Sequence, residues 1–246
     1  MTGPQEGAVA WIDLFLDIPR ADFEDGLAFW ASVTGWTPSP RRGEQDQFVT
    51  LLSASGDSWL KLQAVAGPAG VHLDLDTLSR RAATARALEL GATPAWTYHD
   101  VEVQRSPGGF TFCQTVGTSA RVVDRSEPVI VDQLCLDIPP ALWETEVAFW
   151  TAFTGRTPAT GSRAEFVVLG RTGQLRLLLQ RLDDGSGPVR GHPDLAARDR
   201  AAAVVQHREL GADVIGVHER WTVMRSPYGQ VYCLTDRNPM TGTLGT

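Results

Sequence analysis

A period of 120 residues runs through the chain and constrains its fold more than any other feature. LDIP at 16–19 recurs at 136–139, AFW at 28–30 recurs at 148–150, and ELGA at 89–92 recurs at 209–212. TGWTP at 34–38 returns as TGRTP at 154–158, RSP at 105–107 recurs at 225–227, and Cys113 meets Cys233. Each of these pairs is 120 apart, as 136 − 16 shows; FVTLL at 48 against FVVLG at 166 slips to 118 through small loop changes. Self-similarity at one spacing is the mark of a duplicated structural unit. The 246 residues exceed the ~100–150 usual for one domain, and each half is long enough to bury a core. The expected limits are 9–118 for the first domain, 119–128 for a linker and 129–238 for the second domain.

Composition narrows the class. An apolar fraction of 43% with 21% charged residues is ordinary for a globular protein. The net charge of −7, with no block of Lys or Arg, argues against nucleic acid or an anionic membrane as partner. Three cysteines, an odd number, do not make a disulfide framework and point to a reducing compartment. MTGPQEGAVA lacks a basic segment followed by an apolar run. No apolar stretch approaches the ~20 residues that span a bilayer. The expectation is a soluble, cytoplasmic protein without a secretion signal.

Periodicity supplies the elements. AWIDLFLDI alternates, with Ile12, Leu14, Leu16 and Ile18 on one face and Asp13, Phe15 and Asp17 on the other, which is strand spacing. Phe23, Leu27, Trp30 and Val33 then fall at helical spacing before Gly35, and Trp143, Val147, Trp150 and Phe153 repeat the stripe. QFVTLLS and SWLKLQAV read as strands around SASGD, and HLDLD opens another strand. LSRRAATARALELGA is a helix stopped at Gly91, and TYHDVEVQRS and GFTFCQTV are two closing strands around SPGG. Each half is therefore two β-α-β-β-(β) modules. A ferredoxin-like strand order is the alternative that pattern alone leaves open.

The order LDIP, AFW, TG, HLDL, ELGA and RSP–x–G, ending in an aromatic and Cys, resembles the vicinal oxygen chelate superfamily. Glyoxalases, bleomycin-resistance proteins and extradiol dioxygenases make up that group. The resemblance covers 9–116 and 129–236. It implies an α+β fold of two tandem glyoxalase-like domains, each of two βαβββ modules forming a U-shaped sheet. Helices would cover the convex side, and the concave side would be a cup for metal or ligand. Four modules in one chain permit a monomer as well as a homodimer.

Metal enzymes of the superfamily typically place a histidine on the first strand of a module and a glutamate on the last. The resemblance maps the ligand positions onto Asp13, Gln63, His72 and Cys113 in the first cup. In the second it maps them onto Gln133, Gln180, His192 and Cys233. A Lewis-acid cation needs three or four converging donors. Of the family's histidine and glutamate ligands only the histidine survives in both sets, so no metal and no other cofactor is expected. Asp13, His72 and Asp74 are then the expected proton-transfer groups. Phe15, Asp17, Trp96, Cys113, Gln133, Asp137, His192, Asp194, Trp221 and Cys233 are the expected ligand contacts, the two tryptophans by stacking on a flat molecule. Each has a structural alternative: a histidine bonded to a neighbouring strand, a cysteine as a small hydrophobe, a tryptophan packed on its sheet. Trp30 and Trp150 read as core, Arg105 and Arg225 as turn-bracing residues, and His207 as solvated on its helix. There is no GxSxG elbow, P-loop or dinucleotide fingerprint.

Three functions follow: metal-free binding of a small, largely apolar or aromatic metabolite of the sequestration or resistance kind; a metal-independent isomerase, cyclase or lyase of secondary metabolism; and, least supported, a metal-dependent lyase or dioxygenase. The expected partner in all three is a small molecule.

Overall fold

In the computed structural model, which describes residues 7–117, 122–172 and 175–244, alternation in the first strand becomes burial. Ile12, Leu14, Leu16 and Ile18 of β1 (Val9–Pro19) are fully buried. A 3-10 turn at Arg20–Asp22 leads into α1 (Phe23–Thr34), which Gly35 ends with a φ of 70° that favours glycine. Then come β2 (Thr37–Pro38), β3 (Phe48–Leu52), β4 (Leu60–Val65) and β5 (Gly70–Thr77). α2 (Arg80–Glu89) is N-capped by Ser79, whose hydroxyl accepts from Ala82 N at 3.3 Å. The repeat closes with β6 (Thr93–Tyr98), β7 (Val101–Arg105) and β8 (Thr111–Thr115).

The second repeat follows the same plan. It runs β9 (Val129–Ile138), a 3-10 turn at Pro140–Leu142, α3 (Trp143–Thr154), β10 (Pro158–Thr160), β11 (Phe166–Thr172), β12 (Leu175–Arg181) and β13 (Arg190–Ala197). It ends with α4 (Arg200–Glu209), capped by Asp199, then β14 (Asp213–Val217), β15 (Trp221–Arg225) and β16 (Val231–Thr235). Residues 118–121, which hold the end of the expected first domain and the start of the expected linker, lie outside the described residues.

Two eight-stranded sheets result, with orders β2-β3-β4-β1-β5-β8-β7-β6 and β10-β11-β12-β9-β13-β16-β15-β14. The outer strands β2-β3-β4 and β6-β7-β8 pair antiparallel, as do β10-β11-β12 and β14-β15-β16, whereas β5 runs parallel to β8 and β13 to β16. The segment TYHDVEVQRS, expected as one strand, is a tight hairpin instead, since β6 ends at Tyr98 and His99 takes a φ of 51°. The short strands β2 and β10 also had no legible alternation, being two and three residues long. Among the described residues no helix is long and apolar enough to cross a membrane.

By internal contacts the chain divides into two compact units, and each takes one module from each repeat. The first unit comprises the described residues of 1–14, 72–119 and 134–191. Its core sets Phe112 of β8 against Phe149, Trp150 and Phe153 of α3, with ring centroids 5.4–5.7 Å apart. The second comprises those of 15–71, 120–133 and 192–246. There Phe29 and Trp30 of α1 meet Tyr232 of β16 at 6.0 and 5.4 Å, and Trp36 packs edge-on against Trp59 at 4.7 Å. Of the stripes read from the sequence, Phe23, Trp30, Val33, Trp150 and Phe153 are buried, whereas Leu27, Trp143 and Val147 are half-buried. Phe29 and Phe149, outside the stripes, join Trp30 and Trp150 against the other repeat's last strand. His207 is not solvated as expected: it is fully buried, 6.2 Å from the Phe29 ring, with Nδ1 2.9 Å from the Tyr232 hydroxyl. A polar partner inside the core makes that burial tolerable.

Candidate functional site

Strand geometry builds the site in the first unit. Side chains repeat every second residue, so His72, Asp74 and Asp76 share one face of β5, while Leu73 and Leu75 are fully buried on the other. β8 runs alongside with Asp74 opposite Cys113 and Asp76 opposite Thr115. The Cys113 thiol donates to Asp74 Oδ1, and Thr115 Oγ1 donates to Asp76 Oδ1. His72 Nε2 lies 4.0 Å from Asp74 Oδ1, and both side chains keep 13% of their exposure. Asp13, on the mixed face of β1, is buried and accepts from Trp11 Nε1 at 3.2 Å. Trp96 sits on β6, the outermost strand, half exposed, with the Arg105 guanidinium 5.9 Å from its ring. Cys135 of β9 also belongs to this unit, its sulfur 3.5 Å from Gln180 Oε1 and 4.0 Å from an oxygen of the half-buried Asp137.

The second unit holds the repeat of the same cluster, elaborated. Asp194 stands opposite Cys233 across the parallel β13–β16 pair. Gln133 Nε2 donates to Asp194 Oδ2, His192 Nε2 lies 3.3 Å from Oδ1, and Arg237 Nη1 is 3.9 Å from Oδ2. Arg237 in turn grips Asp132, with Nε 3.2 Å from both carboxylate oxygens and Nη2 bonded to Oδ1. Burial alone would raise the Asp194 carboxyl, but His192, Arg237 and Gln133 together hold it below the usual range. Burial, reinforced by the Asp194 charge, pushes the Cys233 thiol up, so it keeps its proton. Elsewhere in this unit Phe15 packs edge-on to Phe48 at 6.2 Å with Lys61 Nζ 5.4 Å from its ring, and Asp17 is half-buried. Trp221 is stacked on His218 at 4.5 Å.

Of the expected residues, His72, Asp74 and Cys113 cluster in one unit, and Gln133, His192, Asp194 and Cys233 cluster in the other. Trp96 and Trp221 occupy other strands, each with a partner of its own. Sequence reading missed Asp132 and Arg237. The signal was there: Asp132 replaces Ile12 and Arg237 replaces Gly117 at the repeat spacing, a paired gain of opposite charges (132 − 12 = 237 − 117 = 120). In the first repeat Gly117 serves a different end, since a Cβ there would lie 1.6 Å from Asp76 Oδ2.

The donor atoms of His192, Asp194 and Cys233 lie within 4.8 Å of one another, a spacing a cation could bridge. The donor set fits a hard, oxygen-seeking cation poorly. It offers one carboxylate beside an imidazole and a buried thiol, and that carboxylate already has a buried guanidinium 3.9 Å away. A hard cation needs more anionic oxygen than this.

Two tandem eight-stranded sheets of βαβββ modules define a protein of the vicinal oxygen chelate superfamily. The glyoxalase-like domain model matches residues 13–115 and 133–235, and the chain belongs to that family. Among solved structures it is similar to the Mn(II)-bound glyoxalase from Novosphingobium aromaticivorans, at 18% identity and a TM-score of 0.65 over 93% of this chain and 82% of that one. It is also similar to homoprotocatechuate 2,3-dioxygenase from Arthrobacter globiformis, at 16% and 0.62 over 94% and 80%. The 2,2',3-trihydroxybiphenyl 1,2-dioxygenase from Sphingomonas wittichii matches at 15% and 0.62 over 94% and 90%. At such identities the likeness is one of fold. No curated protein matches the chain in sequence.

Proposed function

We propose that the protein binds a small, largely apolar or aromatic metabolite through the polar strand face of its glyoxalase-like domains, without a metal ion, as a sequestering or resistance protein does. One observation carries this reading: Asp194 Oδ2 accepts from Gln133 with the Arg237 guanidinium 3.9 Å away, His192 lies 3.3 Å from Oδ1, and a protonated thiol stands opposite. The less elaborated cluster of His72, Asp74 and Cys113, with Asp13 on the same unit, is the proposed polar contact for the ligand. Structural neighbours named as dioxygenases of 2,2',3-trihydroxybiphenyl and of homoprotocatechuate support the ligand class. Small-molecule sites in general use a few polar groups to orient a largely apolar body.

Titration calorimetry of catechol and biphenyl-diol probes, with and without EDTA, tests the reading. The expected result is binding unchanged by EDTA, weakened at least ~10-fold by His72→Ala, with the probe recovered intact. Stoichiometric transition metal in protein purified without chelator, and lost on His72→Ala or His192→Ala, overturns it.

A second reading rests on the 4.0 Å separation of His72 Nε2 and Asp74 Oδ1 on a face that keeps some exposure. It is a metal-independent isomerase, cyclase or lyase with Asp13, His72 and Asp74 as proton-transfer groups. A bell-shaped pH–rate profile abolished by Asp13→Asn distinguishes it from simple binding.

A further inference from the structure

Trp30 and Trp150 close the repeated AFW motif, and both are fully buried. A buried indole N–H needs an acceptor, and the two repeats meet that need differently. In the first unit Trp150 Nε1 donates at 2.8 Å to Glu146 Oε2, one turn earlier in α3. The same carboxylate accepts from Gly108 N at 2.6 Å and from Ser106 Oγ at 3.1 Å, in the turn between β7 and β8. In the second unit the counterpart of Glu146 is Gly26, and the counterpart of Gly108 is Tyr228 (146 − 26 = 228 − 108 = 120). There Trp30 Nε1 donates to the Tyr228 hydroxyl, which donates to Gln230 Oε1 at 2.5 Å.

Size is exchanged along with chemistry. A Cβ at position 26 would lie 3.1 Å from Tyr228 Cε1 and 2.9 Å from Ile18 Cδ1. A Cβ at position 108 would lie 3.0 Å from Glu146 Oε1 and 2.6 Å from Val189 Cγ2. Position 189 is alanine in the first repeat, Ala69 (189 − 69 = 120). Glycine is a poor interior helix residue, so Gly26 within α1 requires a reason, and the Tyr228 ring supplies it. Each helix–turn contact has one bulky polar partner and one glycine, with the assignment reversed between the two.

We propose that these pairs form a key that admits only unlike repeats. α1 fits the turn of the second repeat and α3 fits the turn of the first. Neither helix fits a second copy of its own repeat's turn. Pairing like with like puts Glu146 and Tyr228 into one space, or faces Gly26 with Gly108 and leaves the Trp30 N–H without an acceptor. The partner each repeat surface selects is the other half of the duplication, not a second copy of itself.

A double-mutant cycle in the full chain tests the key, with Gly26→Glu, Tyr228→Gly and the combination followed by urea unfolding. Each single change is expected to lower the folding equilibrium constant at least ~10-fold. The combination is expected to exceed the product of the singles by ~10-fold or more, because the new carboxylate regains the Trp30 N–H, the Ser226 hydroxyl and a backbone N–H. If Gly26→Glu does not fold, the double variant alone decides. Cooperative unfolding of the double supports the key. An unfolded double, or effects that multiply independently, overturns it.

Discussion

Asp132 and Arg237 are joined by a buried ion pair in which two guanidinium nitrogens reach one carboxylate, with the side chains 0% and 4% exposed. Asp194 approaches the same guanidinium, so one cation serves two acids. Breaking such a pair from one side is costly because a charge stays buried without its partner. Arg237→Met is expected to lose about 3–5 kcal/mol. Asp132→Asn combined with Arg237→Met is expected to lose clearly less than that. Urea midpoints of the three proteins, compared at pH 7, check it.

Burial pulls the His207 imidazole down to about 4 from 6.5. The unfolded chain therefore takes up a proton that the folded chain refuses between those values. The stability this group contributes is complete above pH 6.5 and is lost as the pH falls towards 4. The full window is worth about 3 kcal/mol. His207→Gln, which keeps a hydrogen-bonding group for Tyr232 but does not titrate, is expected to flatten the loss. Denaturation at pH 7.5, 6 and 5 measures the slope; an unchanged slope in the variant refutes the assignment.

None of the three cysteines forms a disulfide, all are buried, and the Cys233 thiol is pushed up. Thiol reagents act on the thiolate. Labelling of the native protein is expected to run on the order of 100-fold or more slower than in urea, limited by local opening. Rapid labelling of Cys113 or Cys233 under native conditions contradicts the packing described.

Gly117→Ala places a Cβ 1.6 Å from Asp76 Oδ2 and forces the β8 exit away from the acid. The expected cost is about 1–3 kcal/mol. Gly170→Ala, where no atom lies within 4 Å of an added Cβ, is the matched control. Equal thermal shifts in the two variants count against the Asp76 contact.

Differences between the repeats come as compensated pairs. Ile12 and Gly117 become Asp132 and Arg237, and Ala87 and Phe112 become His207 and Tyr232, which touch at 2.9 Å. A polar group entering a core survives only with a partner, and the partner is distant in sequence. His207 was misread for that reason: its sequence neighbours Gln206 and Arg208 are polar and exposed, and only the aromatic residues of β16 and α1 reveal the pocket it fills.

The sequence alone determined the duplication, the alternation of β1 and β5, the helix stops at Gly35 and Gly91, and the polar face bearing His72 and His192. Those are local properties, carried by periodicity and by backbone sterics. Only the tertiary structure decided that α1 and α3 cover the other repeat's last strand, and that Asp194 shares Arg237 with Asp132. Burial and charge pairing depend on residues brought together from more than 100 positions away, as 237 − 132 shows, and no window along the chain holds both partners at once.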